Sequence, residues 1–259
     1  MKKYKIFAFL ALLIGIAVMG HTGQRLLETK QVYQEGNAVY DNLSYRVKKT
    51  AAPRPPQVRS TEPTRASETE TYMPDFEIEF ETLRTINKDT AAWLYSPNTV
   101  IDYPVMKAKD YSYYLNHLSD GTVNANGSLF IDYNNASDFS GQLTVIYGHN
   151  MKSGRMFGGL EEYKKQGYYE EHPVMYLYTE DRSYRIDILY GCVIGAGQWR
   201  ERSFMYEQNA GSLLAYAKSN TTFESGGDYS EGDRVVVLST CSYEFDDARY
   251  IVIGVLRPE

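Results

Sequence analysis

The sequence predicts a mainly β (α+β) protein: a closed or nearly closed β-barrel with peripheral helices, preceded by an N-terminal membrane anchor and a helical stalk. Three observations predict it. Short apolar runs separated by turn residues recur through the C-terminal two thirds, the pattern of a barrel rather than of a bundle. Tyrosine is abundant, 24 of 259 residues, within a hydrophobic content of 43%, which favours sheet and supplies a real core. The first 23 residues differ from the rest: Lys2, Lys3 and Lys5 precede an uncharged run from Ile6 to Gly20. Basic residues before an apolar run orient the chain with its N-terminus inside and the remainder exported. The run is shorter than the ~20 residues of a full span, and His21–Gly23, polar but uncharged, extend it, so residues 1–23 read as an uncleaved, signal-like anchor, a signal cleaved near Ala17–Gly20 being the alternative.

Residues 24–50 carry Leu26, Leu27, Val32, Tyr33, Val39 and Leu43 among charges and read as a helical stalk that Gly36 weakens. Residues 51–73, with Pro53, Pro55, Pro56 and many Ser, Thr and charged residues, cannot form a core and read as an extended linker. The folded domain spans 74–259. Within it, Phe76, Phe80 and Leu83 predict a helix over 75–87, and strands are predicted over 100–106, 128–133 and 142–147. A short helix is expected over 156–165. Strands over 174–179 and 184–194 turn at Glu180–Arg182. A helix around Leu213, Leu214 and Ala217 lies inside the polar segment 195–232, and strands over 234–238 and 250–256 close the chain.

Charge and cysteine usage narrow the function. Residues 1–74 hold 11 basic and 6 acidic residues, the remainder 16 and 27, so the folded domain is acidic and unsuited to nucleic acid. There is no metal-ligand spacing and no phosphate-binding glycine loop, and nothing points to a nicotinamide, flavin or haem, so no cofactor or metal is expected. Of the two cysteines, Cys192 lies in the apolar run Ile188–Ile194 and reads as a buried, inert thiol, a Cys192–Cys241 disulfide being the alternative. Cys241 ends Val235–Thr240 where the chain turns polar, which suits a reactive thiol, although a small hydrophobe at a strand end would look the same. His149 ends the run Leu143–Gly148, where Gly148 lets the chain turn, and is the histidine of four best placed for acid–base work; His21, His117 and His172 read as surface residues. Arg249 opens the last strand, facing Cys241 across a short loop. It could pair with Asp246 or Asp247, or donate to a developing oxyanion. A thiol, an imidazole and a fixed cation at strand ends are the parts for acyl transfer through a thioester.

Leu238-Ser-Thr-Cys241, followed eight residues later by Arg249 and preceded far upstream by Tyr147-Gly-His149, resembles the sortases, cysteine transpeptidases of Gram-positive cell envelopes. Ile101–Val105, Asp110–Leu115, Gly127–Asp132, Gly148–Met151 and Ser242–Ala248 are most similar to class B, although Asp102 stands where similar enzymes often carry Asn. The resemblance covers about residues 75–259 and implies a sortase-type barrel. Cys241 would be its nucleophile and His149 its acid–base. Arg249, with a backbone N–H just after Cys241, would hold the oxyanion. Ser239, Thr240, Ser242, Asp102 and Asn150 would lie at the substrate, with Asn150 orienting the imidazole. The implied partners are surface or pilin proteins bearing a sorting signal cleaved after a threonine-like residue, and an amine of peptidoglycan or of a pilin as acceptor. The implied place is the outer face of the membrane, with a single N-terminal span. A hydrolytic cysteine peptidase would use the same Cys241 and His149 without diverting product to an amine. A non-catalytic, membrane-tethered binding module would have an unreactive Cys241.

Overall fold

A computed structural model describes residues 2–51, 74–198 and 210–259, with side chains from Ile14 onward. A long helix, α1 (Lys2–Val47), leads into a two-stranded antiparallel sheet of β1 (Lys48–Thr50) and β2 (Phe76–Ile78). Next come α2 (Phe80–Ile86), β3 (Thr90–Tyr95), β4 (Asp102–Lys107), β5 (Leu129–Ile131), β6 (Leu143–Tyr147), α3 (Gln166–Glu171), β7 (Val174–Tyr178) and β8 (Ser183–Gly195). The chain ends with α4 (Ala210–Asn220), β9 (Val235–Cys241) and β10 (Ala248–Pro258). Eight strands form a closed barrel in the order β10-β8-β7-β3-β4-β5-β6-β9.

The final strands read as unbroken apolar runs because both of their faces are covered. Val236, Leu238, Tyr250 and Val252 point into the barrel with Leu94, Val105, Leu129, Ile146 and Ile186. Val235, Val237, Ile251 and Ile253 point outward and are sealed by Leu213, Leu214 and Ala217 of α4, alongside Cys192. Burial pushes the Cys192 thiol up to about 12, and both cysteines are free.

Four features depart from expectation. Phe76 belongs to a strand rather than to the predicted helix, because β2 pairs with β1 and its ring packs on Tyr95 and Tyr178; the helix begins only at Phe80. Strand β3 escapes the sequence pattern, since Ala91 and Ala92 dilute its β-signal, yet it supplies the fully buried Trp93. The helix expected over 156–165 is a 3-10 turn over Gly158–Lys164, preceded by Met156 in the left-handed region at φ 54°.

The fourth concerns the predicted stalk, whose C-terminal half lies on the barrel. Tyr40, Leu43 and Val47 are buried. The Tyr40 hydroxyl donates to the Gly127 carbonyl at 2.6 Å, Asn124 Nδ2 reaches the Val32 carbonyl at 2.9 Å, and Arg155 grips Asp41 with both guanidinium ends at 2.7 and 3.1 Å. Gly36, rather than a weak point, is where α1 comes close to this surface: a Cβ there would stand 2.6 Å from Asn126 Nδ2. Lys48 and Ser44 reach the Asp102 carboxylate at 2.7 and 2.6 Å, and Trp93 Nε1 donates to it at 2.8 Å. Asp102, expected at the substrate, thus joins α1 and β1 to the barrel. Among the described residues no helix is long and apolar enough to cross a membrane, and the predicted linker lies, from residue 52 to 73, outside the described residues.

Candidate active site

Strand register assembles the site. β6 runs parallel to β9 with Tyr147 beside Ser239, and β9 runs antiparallel to β10 with Cys241 directly opposite Arg249. Directly opposite residues of an antiparallel pair project from the same face, so thiol and guanidinium emerge side by side at the rim. The pairing of β6 with β9 continues past Tyr147: Gly148 N–H donates to the Ser239 carbonyl at 3.2 Å and the Thr240 hydroxyl to the Gly148 carbonyl at 2.9 Å. His149 follows at once, on the strand end next to Cys241.

His149 is held from two sides. Its Nε2 lies 2.7 Å from the Leu115 carbonyl. A carbonyl only accepts, so Nε2 carries the proton and Nδ1 is left to gain or lose one. The ring packs against Gly127, at φ 60°, where an added Cβ would sit 2.6 Å from the Tyr114 carbonyl, 2.8 Å from that of Leu115 and 3.0 Å from His149 Cδ2. Gly148 is required for room: a Cβ would meet Leu129 Cδ2 at 2.5 Å and Phe157 Cδ2 at 2.6 Å. Gly127→Ala is expected to destabilise the protein by more than about 1 kcal/mol and to displace the imidazole. Thermal unfolding and the histidine NMR signals check this; an alanine variant with native values for both would contradict the packing.

Arg249 makes no ion pair among the described residues, so neither Asp246 nor Asp247 neutralises it. Its Nη1 donates to the Ala248 carbonyl at 2.9 Å. The same carbonyl takes the Ser242 N–H at 2.9 Å. The backbone N–H just after Cys241, expected to hold an oxyanion, is therefore committed to the hairpin, and Arg249 remains the donor beside the thiol.

Other expected site residues have different employment. The Thr240 hydroxyl is turned inward to Gly148 and buried, so it fastens the His149 turn to β9 rather than lining an approach. Ser239, on the same face as Cys241, is buried with a hydroxyl that has no hydrogen-bond partner. Asn150 makes no hydrogen bond to the imidazole; its Nδ2 donates to the Cys241 carbonyl at 2.7 Å and to Glu161 Oε2 at 2.8 Å. Ser242 Oγ donates to Glu161 Oε1 at 2.8 Å and also meets Glu244.

Glu161, which looks in the sequence like half of a solvated Glu-Glu pair, is the hub of this cluster. Lys164 Nζ lies 2.5 Å from its Oε1, pairs with Glu244, and sits over the Tyr250 ring. Burial alone would raise the carboxyl values of Glu161 and Glu244. The bonds from Lys164 and Ser242 to both, and from Asn150 to Glu161, outweigh it and hold both below the ordinary 4.5. Their contribution to stability is therefore full above about pH 4.5 and lost as pH falls through the lower folded values. Lys164→Met is expected to be less stable than wild type at neutral pH, by a margin that narrows in acid. Urea unfolding at neutral and acid pH measures this, and a pH-independent margin would contradict the ion pairing.

The Sortase domain family matches residues 94–257. This chain belongs to the sortase family. Sortase B of Listeria monocytogenes is 32% identical over 182 residues, covering 69% of this chain and 74% of the relative. A Staphylococcus aureus sortase B–substrate complex superposes with a TM-score of 0.64 at 28% identity, covering 70% of this chain and 85% of that one. A sortase B complexed with triglycine gives the same TM-score and identity, covering 70% and 86%. This sortase is thus of the class B type, and sortases are cysteine transpeptidases that anchor proteins to the cell wall.

Proposed function

We propose that this sortase cleaves a sorting signal after a threonine-like residue through a Cys241 thioester and transfers the acyl group to an amine of peptidoglycan. The observation that carries the reading is the direct cross-strand pairing of Cys241 with Arg249, a cation without a carboxylate partner among the described residues, next to the His149 strand end. The Cys241 thiol gives its proton to His149 Nδ1, and the sulfur attacks the scissile carbonyl carbon. The carbonyl oxygen gains the negative charge, and the Arg249 guanidinium, always ionised and with N–H groups beyond the one given to Ala248, stabilises it. Collapse of the tetrahedral intermediate breaks the C–N bond, and the leaving nitrogen takes a proton from His149 Nδ1 while Nε2–H stays on Leu115. The acceptor amine then attacks the thioester and gives a proton to His149, and the thiolate departs.

The sortase B complexed with triglycine supports a glycine-type amine as acceptor. Three N-terminal lysines and the uncharged run from Ile6 to Gly20 support tethering to the membrane with the barrel outside. A panel of fluorogenic sorting peptides, with and without triglycine, tests the reading. Cleavage after threonine, with product diverted to the triglycine adduct, is expected. Hydrolysis that triglycine leaves unchanged would make the protein a peptidase.

A further inference from the structure

We propose that Glu161 is a positioning residue for Cys241, holding the cysteine's backbone through Asn150 and the start of the β9–β10 loop through Ser242 and Lys164. The inference deepens the transpeptidase reading and rests on it for the part that concerns turnover. Cys241 is the last residue of its strand, where the ladder gives way to the exposed residues Tyr243–Asp247. A thiol at such an end needs support from outside the sheet to keep one orientation. Asn150 supplies it, but an amide by itself can turn either end towards a neighbour. Here one Nδ2 hydrogen goes to the Cys241 carbonyl and the other to Glu161 Oε2. Rotating the amide would set Oδ1 against two acceptors, so the Glu161 carboxylate selects the orientation that holds Cys241. Its other oxygen takes the buried Ser242 hydroxyl and Lys164, and Lys164 also holds Glu244. Three segments, at 150, 161–164 and 242–244, are therefore joined next to the nucleophile.

Charge makes the role separable from simple stability. Glu161 and Glu244 face one cation, Lys164, within the cluster, while among the described residues His149, Arg249 and the loop residues Asp246 and Asp247 are the other titratable or charged groups around Cys241. The excess carboxylate, linked through Asn150 to the Cys241 backbone carbonyl, opposes a thiolate on the same residue. Removing it makes the thiol easier to ionise even as it loosens the geometry for peptide attack. A purely structural residue has no reason to move these two properties in opposite directions.

The test uses full-length protein and the variants Glu161→Gln and Glu161→Ala, with peptide transfer to triglycine, Cys241 alkylation by iodoacetamide across pH, and thermal unfolding. Glu161→Ala is expected to lower kcat by about tenfold or more with KM within about twofold, as for reacting groups displaced by a fraction of an ångström. Glu161→Gln, which keeps an acceptor, is expected to recover part of kcat. In both variants the alkylation profile is expected to shift to lower pH. If Glu161→Ala does not fold, the glutamine variant decides. An unshifted alkylation profile, or a kcat per alkylatable thiol equal to wild type in the variants, would overturn the proposal. If wild type transfers no peptide but its alkylation profile still responds to Glu161→Gln, the transpeptidase reading fails and the hold on Cys241 stands.

Discussion

Replacing Cys241 by alanine is expected to abolish peptide transfer, a fall of at least about 10³-fold, while leaving the unfolding temperature close to wild type. The thiol is the group at the rim able to form a covalent acyl intermediate, because the other cysteine is sealed under α4. Cys192 is fully buried and its thiol is pushed up to about 12, so it stays protonated and inaccessible at neutral pH. Cys241 is partly exposed at a strand end, so its loss leaves no cavity in the core. Thiol labelling of native protein reads the same contrast. Wild type is expected to take up one equivalent of iodoacetamide quickly and Cys241→Ala none. Rapid labelling of the alanine variant would show that Cys192 is not shielded as the barrel packing requires.

The second large effect is at Arg249. Arg249→Ala is expected to lower kcat/KM by about 10²–10³-fold, the loss typical of removing an oxyanion donor. Arg249→Lys is expected to restore little, since an ammonium on a flexible stem presents no planar fork and cannot donate to Ala248 and to the oxyanion in one fixed geometry. The effect is expected in kcat rather than in folding, because the hydrogen bond that the side chain makes among the described residues goes to the neighbouring Ala248 carbonyl. The Ser242 N–H is already committed to that carbonyl, so it does not compensate as a second donor beside the thiol. A lysine variant within about tenfold of wild type would move oxyanion stabilisation away from this residue.

The barrel and the thiol–guanidinium pairing are legible in the sequence because both depend on local pattern. Val235–Leu238 and Tyr250–Leu256 are apolar runs flanking a short polar loop, which is enough to set Cys241 opposite Arg249 in a hairpin. The same reasoning fails where a role depends on a distant partner. Glu161 carries no local sign that Asn150 and Ser242 will meet it, since the three come together only when β6 and β9 lie side by side. Asp102 looks like a substrate contact until Lys48, Ser44 and Trp93 are folded around it. Thr240 differs from Ser239 only by strand parity at the barrel wall: one hydroxyl faces inward to Gly148 and the other lies on the Cys241 face. The docking of α1 is hidden for a further reason. Its helical pattern mixes charges with apolar residues, and the surface it needs, Asn124–Ser128, lies far along the chain.

Intact-mass spectrometry of the protein mixed with a sorting peptide tests the thioester mechanism most directly. The expected species is enzyme plus the acyl fragment ending in threonine, on Cys241, absent from Cys241→Ala and discharged by triglycine with formation of the ligated peptide. Peptide cleavage that persists in Cys241→Ala, or cleavage by wild type without any acyl adduct and without ligation to triglycine, would contradict it.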